Sequence, residues 1–555
     1  MTALSRALLT GNPRFSAAKQ PQAQDNQGLE AAWRQAFANA GPAQVLAGIE
    51  GSFALGMDLD DGRTVLAVDR FAIETLCYRV VGNELRFASR ADELASGAEI
   101  DPQAIYDYLY FHVIPAPRTI FKNVFRLPAG HFAVFSQGKL SVQPFWTADF
   151  QPLSKPDFGT LRSEFLQTLA DSVQSQLDGG KAACFLSGGT DSSTIAGMLA
   201  RVSGQKPASY SIGFEAEGYD EMEYARLAAK HFDTEHHEYY VTPKDLVQSI
   251  PLVAGFYDQP FGNSSALPAY YCAKMAKQDG VTKILAGDGG DELFGGNTRY
   301  AKQKVFGVYD DIPQGLRTTL VDPLLLNRAA EATPLLRKAS SYVRQAKVPM
   351  PGRFQTYNLL ERLGVAEVLS PAFLQSVDQA SPHDQQAQVW AEPKADHLVD
   401  RMLAFDWRYT LAEADLPKVR GTTQLAGLKV GFPMLDDRML AIALKLPPQY
   451  KLKGLKLRWF FKEALRGFLP DETITKKKQG FGLPFGVWAN RNEELKGLAA
   501  NSLESLLARG VVNKTFVRQL LDQRLAEHPG YYGEMLWILM MLEQWLQQHA
   551  PNYKV

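Results

Sequence analysis

A glycine-rich turn between a short apolar run and a helix-like segment constrains this chain more than any other feature. The turn reads Ser187-Gly188-Gly189-Thr190-Asp191-Ser192 and follows the apolar residues 182–186. Because glycine has no Cβ atom, Gly188 and Gly189 allow a ligand to approach the backbone closely. The N–H groups at the start of the following helix point to the same place, where the helix dipole favours negative charge. The sequence therefore predicts a strand, a turn and a helix that together bind a phosphate group.

The side chains of this turn sharpen the prediction. Ser187 and Ser192 supply hydroxyl donors, and Asp191 is expected to hold a cation that the phosphate shares. The common P-loop has a lysine before its Ser or Thr, where this chain has Asp191. The pattern instead resembles the pyrophosphate-binding loop of ATP pyrophosphatases, which cleave ATP to AMP and pyrophosphate. An ordinary glycine-rich turn is the alternative, but the full six-residue pattern between strand and helix favours a nucleotide site.

A second glycine-rich loop carries acidic residues about 100 positions further along the chain. It follows an apolar run at 283–285 and includes Gly287, Asp288 and Asp291. At the carboxyl end of a parallel strand, these acids would face the same crevice as the first loop. Asp291 could then share a Mg²⁺ ion with Asp191, and Asp288 could act as a base or polar contact for a nucleophile. Alone, the loop could equally carry solvated acids; its pairing with the first loop favours the catalytic interpretation.

Composition limits the classes of function. The chain has 555 residues, of which 46% are hydrophobic and 21% are charged. This length and composition predict a soluble protein of two or three domains. The formal net charge of −1 gives no indication of a nucleic-acid partner. Three widely spaced cysteines argue against disulfides and a zinc site and favour a reducing, cytoplasmic location. No apolar run approaches the roughly 18 residues of a membrane span, so no membrane partner is expected.

Hydrophobic periodicity predicts an α/β protein with two domains, at 1–150 and 151–555. After a polar start, the first has short alternating runs with turn signals at 60–62 and 82–83, so a small β-rich domain is expected. In the second, strand and helix patterns alternate, as in a doubly wound parallel sheet covered by helices on both faces, and then become mostly helical. Strands are predicted at 52–57, 64–68, 77–81, 85–88, 131–135, 182–186, 208–214, 238–241 and 283–285, and helices at 194–201, 335–345, 401–411, 457–467 and 533–548.

Both loops and several further segments resemble the asparagine synthetase family, whose members adenylate a carboxylate with ATP and then displace AMP with an amine. The resemblance extends from about residue 27 to residue 548. It implies an ATP-pyrophosphatase (adenine nucleotide α hydrolase-like) fold, ATP and Mg²⁺ as cofactors, and a small-molecule carboxylate with ammonia or another amine as substrates. The segments that carry it are Ser211-Ile212-Gly213-Phe214, Tyr219-Asp220-Glu221, Asp258-Gln259-Pro260-Phe261, Phe432-Pro433-Met434-Leu435-Asp436 and Lys476-Lys477-Lys478-Gln479-Gly480-Phe481-Gly482-Leu483-Pro484.

The same resemblance implies roles for individual residues. Backbone near Leu186, Ile212 and Gly287 is expected to hold the adenosine, and Asp191 and Asp291 are expected to hold Mg²⁺. The physical need is to neutralise the leaving pyrophosphate while a carboxylate oxygen attacks the α-phosphorus. The residues expected at the pyrophosphate are Ser187, Gly188, Gly189, Asp191 and Ser192.

The N-terminal part departs from the family pattern. Members normally expose a cysteine at residue 2, which hydrolyses glutamine, whereas this sequence begins Met1-Thr2-Ala3 and has its first cysteine at Cys77. The usual Arg-Gly-Pro-Asp and Asn-Gly-Glu segments, which bind glutamine, are also absent. We therefore expect a truncated and inactive remnant of an Ntn-hydrolase glutaminase domain, with ammonia supplied from solution or by a separate glutaminase. Thr2 as a nucleophile after removal of Met1 is the minor alternative.

The position of the family's catalytic lysine is occupied by Arg458. Arginine keeps the positive charge and clamps phosphate with two hydrogen bonds, but it does not readily donate a proton. Lys456 could substitute if the segment is not helical, because residues two apart on a helix face apart. A solvated basic helix face is the alternative. The segments 416–421 and 429–431 lack charges that the family carries near the substrate, so aspartate itself is in doubt as the acceptor.

Three functions remain open at this point. The first is an ATP-dependent amide ligase that uses ammonia or a free amine. The second is an intramolecular amide-forming cyclase of the β-lactam synthetase or lasso-peptide type; such relatives also have an inactive glutaminase domain, but β-lactam synthetases place a tyrosine where this chain has Asp288. The third is a non-catalytic partner subunit, against which both intact acidic loops argue. A homodimer is one option for its assembly.

Overall fold

Two packed β-sheets form the N-terminal region of the computed structural model, which describes residues 6–15, 26–310, 312–327, 333–477 and 482–555. Both sheets are antiparallel. The five-stranded sheet has, in spatial order, the strands Ala7–Gly11, Phe53–Asp58, Thr64–Val68, His131–Ser136 and Lys139–Pro144. The three-stranded sheet has the order Glu84–Ala88, Cys77–Val81 and Phe125–Arg126. A short pair, Arg14–Phe15 with Ile49–Glu50, lies beside them.

Alternation along the strands explains why these sheets stack. On the strand Phe53–Asp58, Leu55 faces a core that contains Trp33 of the helix Asn26–Asn39. Ala54, its neighbour, faces a second core that contains Tyr78 of the three-stranded sheet. Successive side chains of a strand point to opposite faces, so one strand contributes to both layers. The predicted hairpin turns are confirmed, since Asp58 pairs with Thr64 and Val81 pairs with Glu84.

A five-stranded parallel sheet organises the larger part of the chain. Its strands, in spatial order, are Glu235–Val241, Ala208–Phe214, Ala183–Phe185, Lys283–Leu285 and Lys429–Gly431. From Ala183–Phe185 the chain first adds strands on one side and then returns to the other side with Lys283–Leu285. The strand order therefore reverses between these two strands, and a ligand crevice is expected outside their carboxyl ends. Both glycine-rich loops begin there.

Helices cover both faces of the parallel sheet, as predicted. Cys184 and Leu285 lie in a core with the helices Phe158–Ser175 and Thr190–Val202. Ala183 and Ile284, one position earlier on the same strands, lie in a core with the helix Ala266–Gln278. Near-continuous burial on both faces is typical of parallel strands.

The rest of the chain is mostly helical. In the described part, no helix is long and apolar enough to cross a membrane. The helix Pro529–His549 is buried on all sides from Met535 to Leu542 and forms the centre of the largest core. The other helices include Pro42–Ala47, Pro102–Phe111, Met222–His231, Pro243–Phe256, Gly290–Phe294, Thr298–Asp310, Pro334–Lys347, Ser381–Ala391, Leu398–Asp406, the π-helix Trp407–Asp415, Leu416–Leu425, Asp437–Lys445, Trp459–Ala464, Phe485–Ala489, Glu493–Ala508 and Lys514–Gln519.

Several elements differ from the expectation. Five short strands were not predicted: Arg14–Phe15, Ile49–Glu50, Phe125–Arg126, Leu452–Lys453 and Lys456–Leu457. Three strands of the two five-stranded sheets were also missed, and one helix was misplaced. Ala7–Gly11 and Lys139–Pro144 are partly exposed edge strands, and Lys429–Gly431 is only three residues long, so none of them has a strong apolar signal. The helix predicted at 457–467 is wrong at its start. It spans Trp459–Ala464 and is preceded by a hairpin.

Candidate functional site

A cavity of about 1030 Å³ opens at the carboxyl ends of the strands Ala183–Phe185 and Lys283–Leu285. Both glycine-rich loops line it, which is the arrangement that the strand order predicts. Gly188 is the one predicted site residue that does not line the cavity. Those that do are Leu186, Ser187, Gly189, Asp191, Ser192, Ile212, Gly287, Asp288, Asp291, Lys456 and Arg458.

The first loop is held in shape by its own hydroxyl groups. Ser192 Oγ lies 3.0 Å from Ser187 Oγ and accepts a hydrogen bond from the Ser187 N–H at 3.1 Å. Gly189 is the N-cap residue of the helix Thr190–Val202, and it has no side chain to cap the first turn. The N–H groups of a helix start favour an anion. The loop therefore presents backbone donors and two hydroxyls to the cavity.

Gly188 has a conformational role. Its φ of +72° lies in the left-handed region, and a Cβ atom at this position would lie 2.6 Å from Cβ of Tyr224. Only glycine fits against the helix Met222–His231 here. The residue thus lets the loop turn sharply, while its neighbours face the ligand space.

The backbone expected at the adenosine is also fixed by hydrogen bonds. The Leu186 N–H donates to the Tyr210 carbonyl at 2.9 Å, and the Ser211 hydroxyl donates to the Leu186 carbonyl. Ile212 follows on the same neighbouring strand and lines the cavity. These bonds join the ends of the two strands, so this wall of the cavity is rigid.

The second loop approaches the first so closely that only glycine fits between them. A Cβ atom on Gly287 would lie 2.9 Å from the backbone carbon of Asp191. Gly289, with φ +99°, then turns the chain into the helix Gly290–Phe294. This turn brings the acids of the second loop beside Asp191.

Arg458 lies between the two acids that were predicted to share a metal. Its Nη1 is 2.8 Å from Oδ2 of Asp191, 2.7 Å from Oδ1 of Asp291 and 2.9 Å from Oγ1 of Thr190. Its carbon Cζ lies 3.9 Å from the centre of the Phe461 ring. Burial opposes the charge, but Asp191 and Asp291 outweigh it and raise the pKa of Arg458. The guanidinium is therefore a permanent cation at the centre of the site.

The backbone around Arg458 explains its position. The strands Leu452–Lys453 and Lys456–Leu457 form a hairpin, and Arg458 follows with φ 55° before the helix Trp459–Ala464. A left-handed conformation is uncommon for a residue with a Cβ atom, and it directs the side chain into the cavity. The segment is not helical at Lys456, but Lys456 is exposed at the rim, so Arg458 holds the central position.

Asp288 lies in the cavity beside a lysine that the sequence did not single out. Lys418 Nζ is 3.6 Å from Oδ1 of Asp288 and 2.9 Å from Oδ1 of Asp415. Burial raises the pKa of Asp288 to about 6, although Lys418 pulls it down. For Lys418, burial opposes the charge, but Asp415 and Asp288 outweigh it and raise its pKa. A carboxylate with a pKa of about 6 therefore lies beside an ammonium group that stays charged.

Three further residues of the site were missed. Asp415, at the end of a π-helix, completes the Lys418 cluster; π-helical turns are frequent at functional sites, but sequence does not show them. Burial and the neighbouring Asp291 raise the pKa of Glu292 well above its usual value. Lys462 lines the cavity one helical turn after Arg458. An i, i+4 spacing from Arg458 was the available signal for this residue.

The donor set suits a magnesium ion bound together with a substrate. Mg²⁺ is usually held by one or two carboxylates plus substrate phosphates. Asp191 and Asp291 supply two carboxylates at one point of the cavity, and Arg458 lies between them. Within the described ranges there is no group of three or more His, Cys, Asp or Glu side chains that could hold a metal without such a substrate.

None of the three cysteines of this chain is accessible enough to act as a nucleophile. Cys77, Cys184 and Cys272 are all buried and free, and they are the three cysteines of the sequence. Burial raises the pKa of each thiol. A thiolate nucleophile needs the opposite environment, partly exposed and electropositive. Thr2, the minor alternative, and residues 478–481 of the C-terminal motif lie outside the described residues.

Comparisons with known proteins agree with this geometry. The family model described as Asparagine synthase matches residues 164–547, and the one described as Glutamine amidotransferase domain matches residues 32–146. Asparagine synthetase [glutamine-hydrolyzing] 1 of Bacillus subtilis is 25% identical over 88% of this chain and 75% of its own length. A putative asparagine synthetase of Mycobacterium bovis is 25% identical over 90% of this chain and 77% of its own length. A second putative asparagine synthetase, that of Methanocaldococcus jannaschii, is 33% identical over 43% of this chain and 48% of its own length.

The fold and the family match together define an ATP-dependent carbon–nitrogen ligase, an enzyme that forms amides. The chain belongs to the asparagine synthase family, whose model spans the parallel sheet, both glycine-rich loops and Arg458. The glutamine amidotransferase match covers most of the two N-terminal sheets.

Proposed function

We propose that this enzyme adenylates a small-molecule carboxylate with MgATP and transfers the acyl group to ammonia or another amine, without hydrolysing glutamine itself. The observation that carries the proposal is the convergence of Asp191, Asp291 and Arg458 at one end of the cavity with Asp288 and Lys418 also lining it. The first group suits a polyphosphate and its metal. The second suits proton transfer from an attacking amine.

In this proposal both loops bind the nucleotide. Leu186, Ile212 and Gly287, whose backbone would hold the adenosine, line the cavity, as do Ser187, Gly189 and Ser192, which would hold the phosphates. When bound to Asp191 and Asp291, Mg²⁺ would supply charge neutralisation for the leaving pyrophosphate. Arg458 adds a fixed positive charge at the same place, and Lys462 lines the same cavity.

The reaction proceeds in two displacements. A carboxylate oxygen of the substrate attacks the α-phosphorus, and the bond from that phosphorus to pyrophosphate breaks. The amine then attacks the acyl carbon, the carbon–oxygen bond to AMP breaks, and Asp288 accepts a proton from the amine nitrogen. Lys418 holds Asp288 in its carboxylate form, which is the form that accepts protons.

Burial of the cysteines supports the absence of glutaminase activity. No cysteine of the chain lies where it could ionise and reach a glutamine side chain. We propose that the N-terminal region is a remnant of an Ntn-hydrolase glutaminase and that ammonia comes from solution or from a separate glutaminase partner. Glutamine should therefore not replace ammonium in the purified enzyme.

The decisive experiment measures AMP and pyrophosphate release from MgATP, with aspartate, in the presence of ammonium, glutamine or neither. Ammonium-stimulated AMP release with formation of asparagine would identify an ammonia-dependent enzyme acting on aspartate. Stimulation by glutamine would contradict the loss of glutaminase activity. No turnover from folded protein that binds MgATP would direct the search to another carboxylate.

Two variants test the metal assignment. Asp191→Ala and Asp291→Ala each remove one carboxylate from the Arg458 cluster, and each should abolish AMP formation. Ser203→Ala, beyond the far end of the helix Thr190–Val202, is the matched control and should retain activity. Full activity in both acidic variants would refute the assignment of Asp191 and Asp291.

A further inference from the structure

Two ionic side chains flank the Asp415–Lys418 pair and contact the N-terminal region instead of the cavity. These are Glu413, two residues before Asp415, and Arg420, two residues after Lys418. Both are largely buried, with side chains 6% and 20% exposed. The segment from Glu413 to Arg420 thus has its inner pair at the site and its outer pair against the N-terminal region.

Glu413 is held by two groups of the N-terminal region. One of its oxygens accepts a hydrogen bond from the Ala116 N–H at 3.1 Å, and the other pairs with the guanidinium of Arg126. The same Arg126 nitrogen donates to the Ile114 carbonyl at 2.8 Å. Removing either partner of this buried ion pair would leave the other charge buried without its counterion, which is costly, so the pair favours one geometry.

Arg420 is held by the turn that follows the strand Thr64–Val68. Its two terminal nitrogens donate to the Ile73 carbonyl at 2.8 Å and to the Thr75 hydroxyl at 2.6 Å, and the Glu74 carboxylate lies 3.7 Å away. A planar guanidinium with two fixed acceptors has a single orientation. The first turn of the helix Leu416–Leu425 is therefore anchored from outside the site.

The backbone between these anchors is unusual. The π-helix Trp407–Asp415 runs directly into the helix Leu416–Leu425, and the Tyr257 hydroxyl lies 3.3 and 3.2 Å from the Pro417 and Lys418 carbonyls. A π-helical segment widens the turn and is less regular than an α-helix. The contacts of Glu413 and Arg420 with the N-terminal region lie on either side of this junction.

We propose that the N-terminal region is a positioning element for the acceptor end of the active site, the part that contains Asp288, Asp415 and Lys418. Arg126 and Arg420 clamp the segment 413–420, so that Lys418 stays beside Asp288 and Asp415. Both arginines are positioning residues, since they act through Lys418 and lie outside the reacting groups. The inference rests on the proposed function for the role of Asp288, but its geometry can be tested without turnover.

Acetylation of lysines by sulfo-N-hydroxysuccinimide acetate, quantified by mass spectrometry, reports how well Lys418 is held. In the intact protein Lys418 should react slowly, since its amine is buried between two carboxylates. Arg420→Ala and Glu413→Gln should accelerate its acetylation by about fivefold, the factor that corresponds to the net contribution of one lost hydrogen bond. Lys445, which pairs with Glu164 away from the site, should react at an unchanged rate.

Arg70→Ala is the matched control. Arg70 also joins the N-terminal region to the rest of the chain, by an ion pair at 2.7 Å with Asp437, and this pair does not flank the segment 413–420. The Arg70→Ala substitution should leave the acetylation rate of Lys418 unchanged. An equal acceleration in Arg70→Ala, or none in either clamp variant, would overturn the proposal.

Milder variants keep the test decisive if Arg420→Ala does not fold. Thr75→Val removes only one acceptor of Arg420, and Arg420→Lys keeps the charge; both should give intermediate rates at Lys418. Unchanged rates in both would also refute the clamp. Where turnover is measured, these variants should lower kcat for amine transfer and leave the KM for MgATP unchanged. An inactive intact protein with the predicted labelling would contradict the proposed function and leave the clamp standing.

Discussion

Nη1 of Arg458 lies 2.8 Å from Oδ2 of Asp191, although the two residues are 267 positions apart in the chain. The same nitrogen also contacts Asp291, so one guanidinium pairs with both acids of the predicted metal site and leaves one negative charge in excess. A magnesium ion would bind to the same two carboxylates and would have to share them with this cation. Arg458 thus holds together the two acids that the proposed magnesium ion would contact.

Replacing Arg458 with methionine should separate these two contributions. Without the guanidinium, Asp191 and Asp291 would interact with Mg²⁺ alone, and Mg²⁺ should raise the melting temperature of Arg458→Met more than that of the unaltered protein. AMP formation should nevertheless fall by about 100-fold or more, since a charge that stabilises the transition state is lost. Differential scanning fluorimetry with a Mg²⁺ titration, and pyrophosphate release, measure the two effects.

Arg458→Lys is the control for this prediction, because it keeps the charge but loses the fork that contacts both acids. It should retain part of the activity. If Arg458→Met kept full AMP formation, Arg458 would be only a structural counterion for the two acids.

Local sequence patterns were sufficient for much of the framework. The strands Thr64–Val68 and Ala208–Phe214 match their predicted bounds because each is a continuous buried run with a clear start and end. The two glycine-rich loops were also predictable, since their glycines and acids meet local requirements of backbone approach and charge. Their meeting at one crevice follows from the order of parallel strands.

Local sequence patterns did not predict the residues at the acceptor end of the site. Lys418 and Asp415 reach Asp288 through a π-helical junction, which depends on contacts with the N-terminal region more than 280 residues earlier. Arg458 takes its position through a left-handed backbone after a hairpin, where a helix was predicted over 457–467. Both features depend on tertiary contacts that have no periodic signature.

Titration of Asp288 should shape the dependence of amide formation on pH. Burial raises its pKa to about 6, so below pH 6 it is protonated and cannot accept a proton from the amine. The rate should therefore rise through pH 6 when measured at a constant concentration of unprotonated amine. Asp288→Asn should remove this limb and lower kcat by about 100-fold. A pH profile of the variant that keeps the same limb would assign the titration to another group.

Lys462 should contribute to nucleotide affinity. It lines the cavity, is partly buried, and has no ion-pair partner among the described residues; burial and then Arg458 lower its pKa. A bound triphosphate would supply the missing counterion. Lys462→Met should raise the KM for MgATP about tenfold, the effect of one charge-assisted hydrogen bond. Lys456→Met, at the exposed rim, should change it less than about twofold. Equal effects of the two substitutions would contradict this assignment.

Glycine at position 188 should be required for the shape of the first loop. Gly188 and Gly204 both have positive φ angles, of +72° and +66°, but a Cβ atom would meet Tyr224 only at Gly188 and finds open space at Gly204. Gly204→Ala should therefore cost about 1 kcal/mol, for the left-handed backbone alone. Gly188→Ala adds a steric clash against backbone and should cost about 3 kcal/mol, with loss of MgATP binding. Urea unfolding and calorimetric titration with MgATP check both effects; equal costs for the two variants would mean that the loop moves away from Tyr224.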